Sequence, residues 1–195
     1  MKKIMALDIG NVCFKIDTKK WIDKLGIRAD NIQLIRNISA KQVEFELGLI
    51  NQNDFLEILS NLTGNTFSSF ELIGIFCSII EGEIVGMYDL MIDLVNSSFK
   101  IMFLSDISSL HLGYVHSRLS FANLVIGGVY SFEVGALKPD NKIFNEFERR
   151  YGKPDIYIDD LEENCIAAQK NGWDSHCFVT SENCRKELSQ IITFP

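Results

Sequence analysis

The chain opens with an apolar run, Ile4-Met5-Ala6-Leu7, that stops abruptly at a carboxylate, Asp8, with the turn pair Gly10-Asn11 close behind. A short continuous apolar segment bounded by turn residues has the pattern of a strand buried on both faces, as a parallel sheet requires. Open α/β sheets hold their ligands beyond the carboxyl ends of the strands. Asp8 is therefore predicted to stand on a ligand-facing edge, where a carboxylate can attack phosphorus or hold a metal ion.

Similar short runs recur later, at residues 99–105, 124–129, 156–158 and 176–179. Helical patterns at about 108–119, 140–151, 162–171 and 182–192 fill the gaps, which predicts a parallel sheet with helices on both faces. Residues 15–87 differ. No comparable strand run occurs there, and the apolar residues repeat at helical spacing: Phe55, Ile58, Leu59 and Leu62 form one stripe behind the polar Asn51-Gln52-Asn53-Asp54 cluster, and Trp21, Ile22 and Leu25 a shorter one. A helical segment inserted into the sheet domain is the expectation. The helix at 88–96, with Leu90, Met91 and Leu94, leads back to the core.

With 195 residues, 47% of them hydrophobic, the chain can build one substantial core with a smaller appendage. A net charge of -7, a pI near 5.0 and no Lys/Arg cluster argue against nucleic acid or an anionic membrane as partner. Cys13, Cys77, Cys165, Cys177 and Cys184 are odd in number and form no CxxC pair, which suits free thiols in a reducing cytoplasm. Lys2-Lys3 mimics a secretory leader, but Asp8 interrupts the apolar run too early. Leu72–Ile80 is too short to span a bilayer, so a soluble cytoplasmic protein is expected.

Four polar features follow predicted strands in order: Asp8-Ile9-Gly10-Asn11-Val12, Leu104-Ser105-Asp106, Gly135-Ala136-Leu137-Lys138-Pro139-Asp140 with Pro139 read as a first-turn proline, and Tyr157-Ile158-Asp159-Asp160 with Asn164 a helical turn on. In that order, and with a helical insert between the first two, they resemble the motifs of the haloacid dehalogenase superfamily, whose members are mostly phosphatases. The resemblance covers essentially the whole chain. It implies a three-layer Rossmannoid core at 1–14 and 88–195, strand order 5-4-1-2-3, and a type 1 helical cap at 15–87. The Asp-x-Gly-Asn-Val form and the later Phe45-Glu46-Leu47-Gly48-Leu49-Ile50 segment are similar to bacterial sugar-phosphate phosphatases of the glucose-1-phosphate type.

By that resemblance Asp8 is the nucleophile of a Mg²⁺-dependent hydrolase, forming an aspartyl-phosphate from a small phosphorylated metabolite. Lys138 and Ser105 assist, and Asn11, Ser105, Asp106 and Lys138 bind the phosphoryl group. The metal ligands implied are Asp8, the Gly10 carbonyl, Asp159 and Asp160, all oxygen donors as Mg²⁺ prefers. Asp106 stands where Asn is commoner. Gly10 replaces an acid that protonates the leaving oxygen, help typically worth roughly 10²–10⁴-fold. Asp17, Glu44 or Glu46 could substitute, or the substrate could carry a good leaving group. Two other readings stay open: a metal-independent hydrolase attacking carbon, which the Asp159-Asp160 pair opposes, and a phosphoryl-ligand binding or regulatory module without efficient turnover.

Each residue also has an ordinary explanation. Asp8 suits an Asx turn, Ser105 a helix N-cap, Lys138 a solvated surface, and Asp159-Asp160 a helix dipole. His111, His116 and His176 read as helix surface or core edge, Trp21, Phe45 and Phe55 as core of the insert, and Cys13 as a structural thiol.

Overall fold

The computed structural model describes residues 3–194. From β1 (Lys3–Leu7) the chain enters a short strand, β2 (Phe14–Ile16), and then four helices, α1 (Lys20–Lys24), α2 (Ile32–Glu46), α3 (Gln52–Leu62) and α4 (Ser69–Cys77). It returns through β3 (Ile80–Glu83) and α5 (Met87–Asn96). Strands and helices then alternate: β4 (Phe99–Ser105), α6 (Ser109–Arg118), β5 (Val125–Tyr130), α7 (Ser131–Val134), α8 (Asn141–Tyr151), β6 (Ile156–Asp159), α9 (Glu162–Lys170), β7 (Ser175–Cys177) and α10 (Ser181–Leu188). No helix among the described residues is long and apolar enough to cross a membrane.

The protein is α/β. Its main sheet is parallel throughout, in the order β5-β4-β1-β6-β7, so β1 lies at the centre. Counted among themselves these strands run 3-2-1-4-5, which is the expected 5-4-1-2-3 in the labels of the opposite edge. The alternation of a central strand sorts its side chains into two cores. Met5 and Leu7 join the cluster that includes the helical insert and α5. Ala6 joins the opposite cluster, where Phe144, Phe147, Tyr157 and Trp173 pack edge-on or tilted at 5.3–6.0 Å.

The expected strand-free insert needs correction. β2 and β3 pair antiparallel as a separate ribbon, Phe14 opposite Glu83 and Ile16 opposite Ile80, where the chain leaves and re-enters the sheet domain. Three- and four-residue strands are too short to show a period, and Ile80-Glu81-Gly82-Glu83 carries little apolar signal. Two smaller corrections concern helix ends. The last helix stops at Leu188, short of 192, and Pro139 lies outside α8, whose N-cap is Asp140, accepting the Lys142 N–H at 2.8 Å.

Phe76 is the hub of the insert. Its ring meets Trp21, Phe55 and Phe45 at centroid distances of 5.1, 4.8 and 6.2 Å, and stacks on His111 of α6 at 4.0 Å. The Phe76 carbonyl also contacts His111 Nε2 at 3.1 Å, so ring and backbone together tie α4 to the sheet domain. A second tie lies just past α2. Ser131 Oγ donates to the Glu46 carbonyl at 2.6 Å, and Gly48, at φ +67°, passes so close to Phe132 that a Cβ would sit 2.1 Å from its carbonyl oxygen. Only glycine tolerates both the left-handed backbone and that approach. Gly48→Ala should therefore cost about 2 kcal/mol or more and lower the thermal midpoint, with the α2–α7 contact exposed first in hydrogen exchange. An unchanged midpoint would show that the contact bears no load.

Candidate active site

The loops beyond β1, β4, β5 and β6 converge because their strands are parallel and neighbouring. Asp8 follows β1, Ser105 ends β4 with Asp106 next, Lys138 precedes α8, and Asp159 ends β6 with Asp160 next. Asp8, Gly10, Asn11, Ser105, Asp106, Lys138 and Asp160 line one cleft of about 300 Å³. The helical insert and its ribbon supply the facing wall, through Ile16, Thr18, Gln42, Glu46, Ile79 and Ile80.

Lys138 organises the cleft floor. Its side chain is 98% buried, and its ammonium contacts Asp8 Oδ1 at 2.8 Å and Asp159 Oδ2 at 2.6 Å and donates to the Leu104 carbonyl at 3.1 Å. Its backbone N–H donates to the Asp106 carboxylate at 3.0 and 3.1 Å. Burial alone would depress the lysine, but Asp8, Asp159 and Asp106 reverse this and hold it above its ordinary range. The solvated-lysine explanation is thereby set aside. Ser105 is not an N-cap either; Ser108 caps α6, accepting the His111 N–H at 3.3 Å, and leaves Ser105 buried in the cleft wall.

The three acids differ in what they have left to offer. Asp159 is fully committed: Oδ2 accepts from Lys138 and the Tyr157 hydroxyl, Oδ1 from the Leu161 N–H and Asn164 Nδ2, both at 2.9 Å. Burial would raise it, yet Lys138 and the hydrogen bonds from Tyr157 and the Leu161 N–H together outweigh burial and lower it. Asp8 is lifted by burial to about 7, with Lys138 pulling down and Asp159 pushing up. Asp160 is also raised by burial, and accepts from Asn11 Nδ2 at 3.1 Å. The Asn11 side chain is spent there and on the Ile16 N–H at 3.1 Å.

Carboxylate oxygens of Asp8, Asp159 and Asp160 lie within 4.8 Å of one another. Beside them the buried Asn164 Oδ1 lacks any hydrogen-bond partner, while its amide nitrogen is fixed on Asp159. An orphaned carbonyl oxygen lining a cleft with Asp8 and Asp160 suits a hard cation. The donor set therefore fits Mg²⁺. Tyr157 and Asn164 stand in the fourth sequence motif, but the sequence assigns neither a role; the orphan oxygen and the shared acceptor appear only in three dimensions.

The alternative acids are also sorted. Glu46, the last residue of α2, lines the cleft and is held by burial at about 7, with Gln42 donating at 2.8 Å and Asp106 repelling it. Asp17 accepts the Lys19 N–H at 3.0 Å, Glu44 pairs with Lys41 at 2.8 Å, and neither lines the cleft. His111 is more deeply buried than a core-edge residue and forms part of the cleft wall; burial lowers it to about 4, so it is neutral. Cys13 donates to the Asp8 carbonyl at 3.2 Å, and burial pushes its thiol up, a structural role.

No family model and no curated protein matches the sequence. Solved structures do match the fold. A HAD family enzyme of Bacteroides thetaiotaomicron, BT-2542, superposes with a TM-score of 0.83 over 92% of this chain and 94% of that one, at 19% identity. The chain has the haloacid dehalogenase fold. The same enzyme has been solved with magnesium and inorganic phosphate, matching at TM-score 0.77 and 21% identity over 92% and 96% of the two chains. A HAD-like family hydrolase from Porphyromonas gingivalis matches at 0.79 over 98% of each chain, at 18% identity. L-2-haloacid dehalogenase from Xanthobacter autotrophicus, with chloropropionic acid covalently bound, matches at 0.64 and 12% identity over 97% of this chain and 83% of that one. Proteins of this fold have thus been solved both with magnesium and phosphate and with a covalently bound chloropropionic acid.

Glu46 gives the site a measurable pH signature. Its carboxyl is raised from 4.5 to about 7 by burial, so the wild-type fold loses stability as pH rises through that window. Glu46→Gln cannot ionise and escapes the loss. Its thermal midpoint should equal the wild type's below about pH 4 and exceed it at pH 8 by roughly 3–10 °C, corresponding to about 1–3 kcal/mol. Equal midpoints at pH 8 would contradict the burial of this carboxyl.

Proposed function

We propose that the protein is a Mg²⁺-dependent phosphatase acting on a small phosphate monoester, with Asp8 as nucleophile. The observation that carries this reading is the buried Lys138 ammonium at 2.8 Å from Asp8, set beside the oxygen donors of Asp160 and Asn164. A carboxylate and a phosphate monoester repel each other, and cations on both sides of the reacting pair relieve that repulsion. The magnesium and phosphate bound by BT-2542 support the same assignment.

Mg²⁺ bound by Asp8, the Gly10 carbonyl, Asp160 and Asn164 would neutralise charge on the phosphoryl oxygens. Asp159 is better suited to holding Lys138 and Asn164 in place than to binding metal, because all its hydrogen-bonding positions are taken. Lys138 keeps Asp8 oriented and places positive charge beside the transferring group. Ser105 binds an equatorial oxygen. Asp8 attacks phosphorus, the alcohol departs, and water then attacks the aspartyl-phosphate to release phosphate and restore the carboxylate.

Lys138 is the sole Lys or Arg lining the cleft among the described residues, and His111 is neutral. The phosphoryl group claims that charge, so the alcohol part of the substrate should be uncharged. Thr18, Gln42 and Glu46 supply hydrogen-bonding groups among Ile16, Ile79 and Ile80, and a cleft near 300 Å³ suits a small ligand. A sugar phosphate fits this wall best. The helices α1–α4 act as a cap, closing over the substrate and excluding water during the first step.

Phosphate release from sugar phosphates should require Mg²⁺, stop with EDTA, and fall by roughly 10³-fold or more in Asp8→Asn. Phosphate and Mg²⁺ binding without release from any ester would favour the binding-module reading, and activity on a haloacid in EDTA the carbon-attacking one. Asp160→Asn should raise the Mg²⁺ concentration needed for half activity by roughly 10–100-fold. Asp159→Asn should instead lower kcat at an unchanged Mg²⁺ requirement; the reverse pattern would exchange the roles of the two acids.

A further inference from the structure

Glycine at position 10 is not imposed by packing. A Cβ there would meet Ile16 Cγ1 at an ordinary 3.6 Å, and the backbone is not left-handed. The first motif nevertheless carries no second carboxyl, and an unactivated alcohol leaves phosphorus poorly as an alkoxide. Among the acids lining the cleft, Asp8 is the nucleophile, Asp160 faces the cation donors, and Asp106 is held at both oxygens by the Lys138 N–H. Glu46 remains. It is the cleft carboxyl contributed by the helical insert, so it faces the sheet edge from the side where the leaving group must lie. One of its oxygens accepts from Gln42; the other makes no hydrogen bond among the described residues. The Ser131 bond to its carbonyl and the Gly48–Phe132 approach fix its backbone against the sheet domain.

We propose that Glu46 is the general acid and base of the reaction, doing from the insert what Gly10 cannot do from the first motif. This rests on the phosphatase reading above. In the first step Asp8 forms its bond to phosphorus, the ester P–O bond breaks, and the Glu46 carboxyl gives its proton to the departing oxygen, leaving alcohol and a Glu46 carboxylate. In the second, water attacks phosphorus, the Asp8–phosphorus bond breaks, and Glu46 takes the water's proton, returning to the acid. Each step balances, and the pair of steps restores the resting protonation. The Glu46 carboxyl is held at about 7 by burial, with Asp106 across the cleft raising it and Gln42 on its own helix lowering it. Lys138, Asp8 and Asp160 are the other charged groups of the same cleft, and His111 is neutral. Both forms of Glu46 are therefore populated near neutrality, as a group that gives and retakes a proton requires.

The test compares first-turnover release of alcohol from a hexose phosphate and from p-nitrophenyl phosphate, whose leaving group needs no proton. Glu46→Gln should slow the hexose ester by roughly 10²–10⁴-fold and the aryl ester by less than about tenfold. The wild-type fall in hexose-ester rate above about pH 7 should vanish in that variant. Glu46→Asp, which keeps an acid but draws it back, should recover part of the loss, and Gly10→Asp placed in the Glu46→Gln background should recover more. Equal losses on both esters, or a hexose-ester rate kept within about threefold, overturns the assignment while leaving the phosphatase reading intact. Wild-type protein that releases phosphate from neither ester overturns the phosphatase reading itself, before any variant is compared.

Discussion

A buried ammonium without partners would be expelled or neutralised, and buried carboxylates without a cation would stay protonated. Lys138 resolves both demands. Its Nζ joins Asp8, Asp159 and the Leu104 carbonyl, so three strands of the sheet meet at one charge. The consequences spread outward. Asp159, committed to Lys138, Tyr157, Leu161 and Asn164, orients the start of α9 and turns the free Asn164 oxygen toward the cleft. Asp8 meets Lys138 through Oδ1 at 2.8 Å, which anchors the carboxylate at the sheet edge. The ion cluster is costly to bury, and its position at the sheet's carboxyl edge is where such a cost serves a reaction.

The second half of the site is built by docking. The ribbon β2–β3, the Phe76–His111 stack and the Gly48–Phe132 approach hold the insert against the sheet domain at separate points. That arrangement carries Glu46 and Gln42 to a position opposite Asp8 without any loop of the sheet domain supplying them. Fixed charge comes from one side of the cleft and an ionisable, partly buried carboxyl from the other. In the proposed reaction, the proton that Gly10 cannot supply therefore comes from across the cleft rather than from a neighbour in sequence.

How much of this was legible beforehand follows from the range of the interactions. The central strand, its terminal Asp8 and the later strand ends could be read because apolar runs and turn residues are local signals. The aromatic core of the insert could be read in part from the Phe55–Leu62 stripe. The ribbon could not, because Phe14–Ile16 is three residues long and gains its partner some seventy residues later. Ser105 looked like an N-cap because Ser108, three residues on, competes for the same role with the same chemistry. Nothing local distinguishes Glu46 from Glu44; two positions on a helix turn one toward Lys41 on an outer face and the other into the cleft. Asp159 and Asp160 are equally alike in sequence and opposite in saturation.

The central claim is that Asp8, held by Lys138, becomes covalently bound to phosphorus. Rapid quenching during turnover of a phosphate ester with Mg²⁺, followed by borohydride reduction and peptide mass spectrometry, tests this directly, since an acyl phosphate at Asp8 is reduced to homoserine. The account predicts homoserine at position 8, dependent on both ester and Mg²⁺ and absent after EDTA. Continued phosphate release with position 8 unmodified, or an adduct there that forms without Mg²⁺, would contradict it.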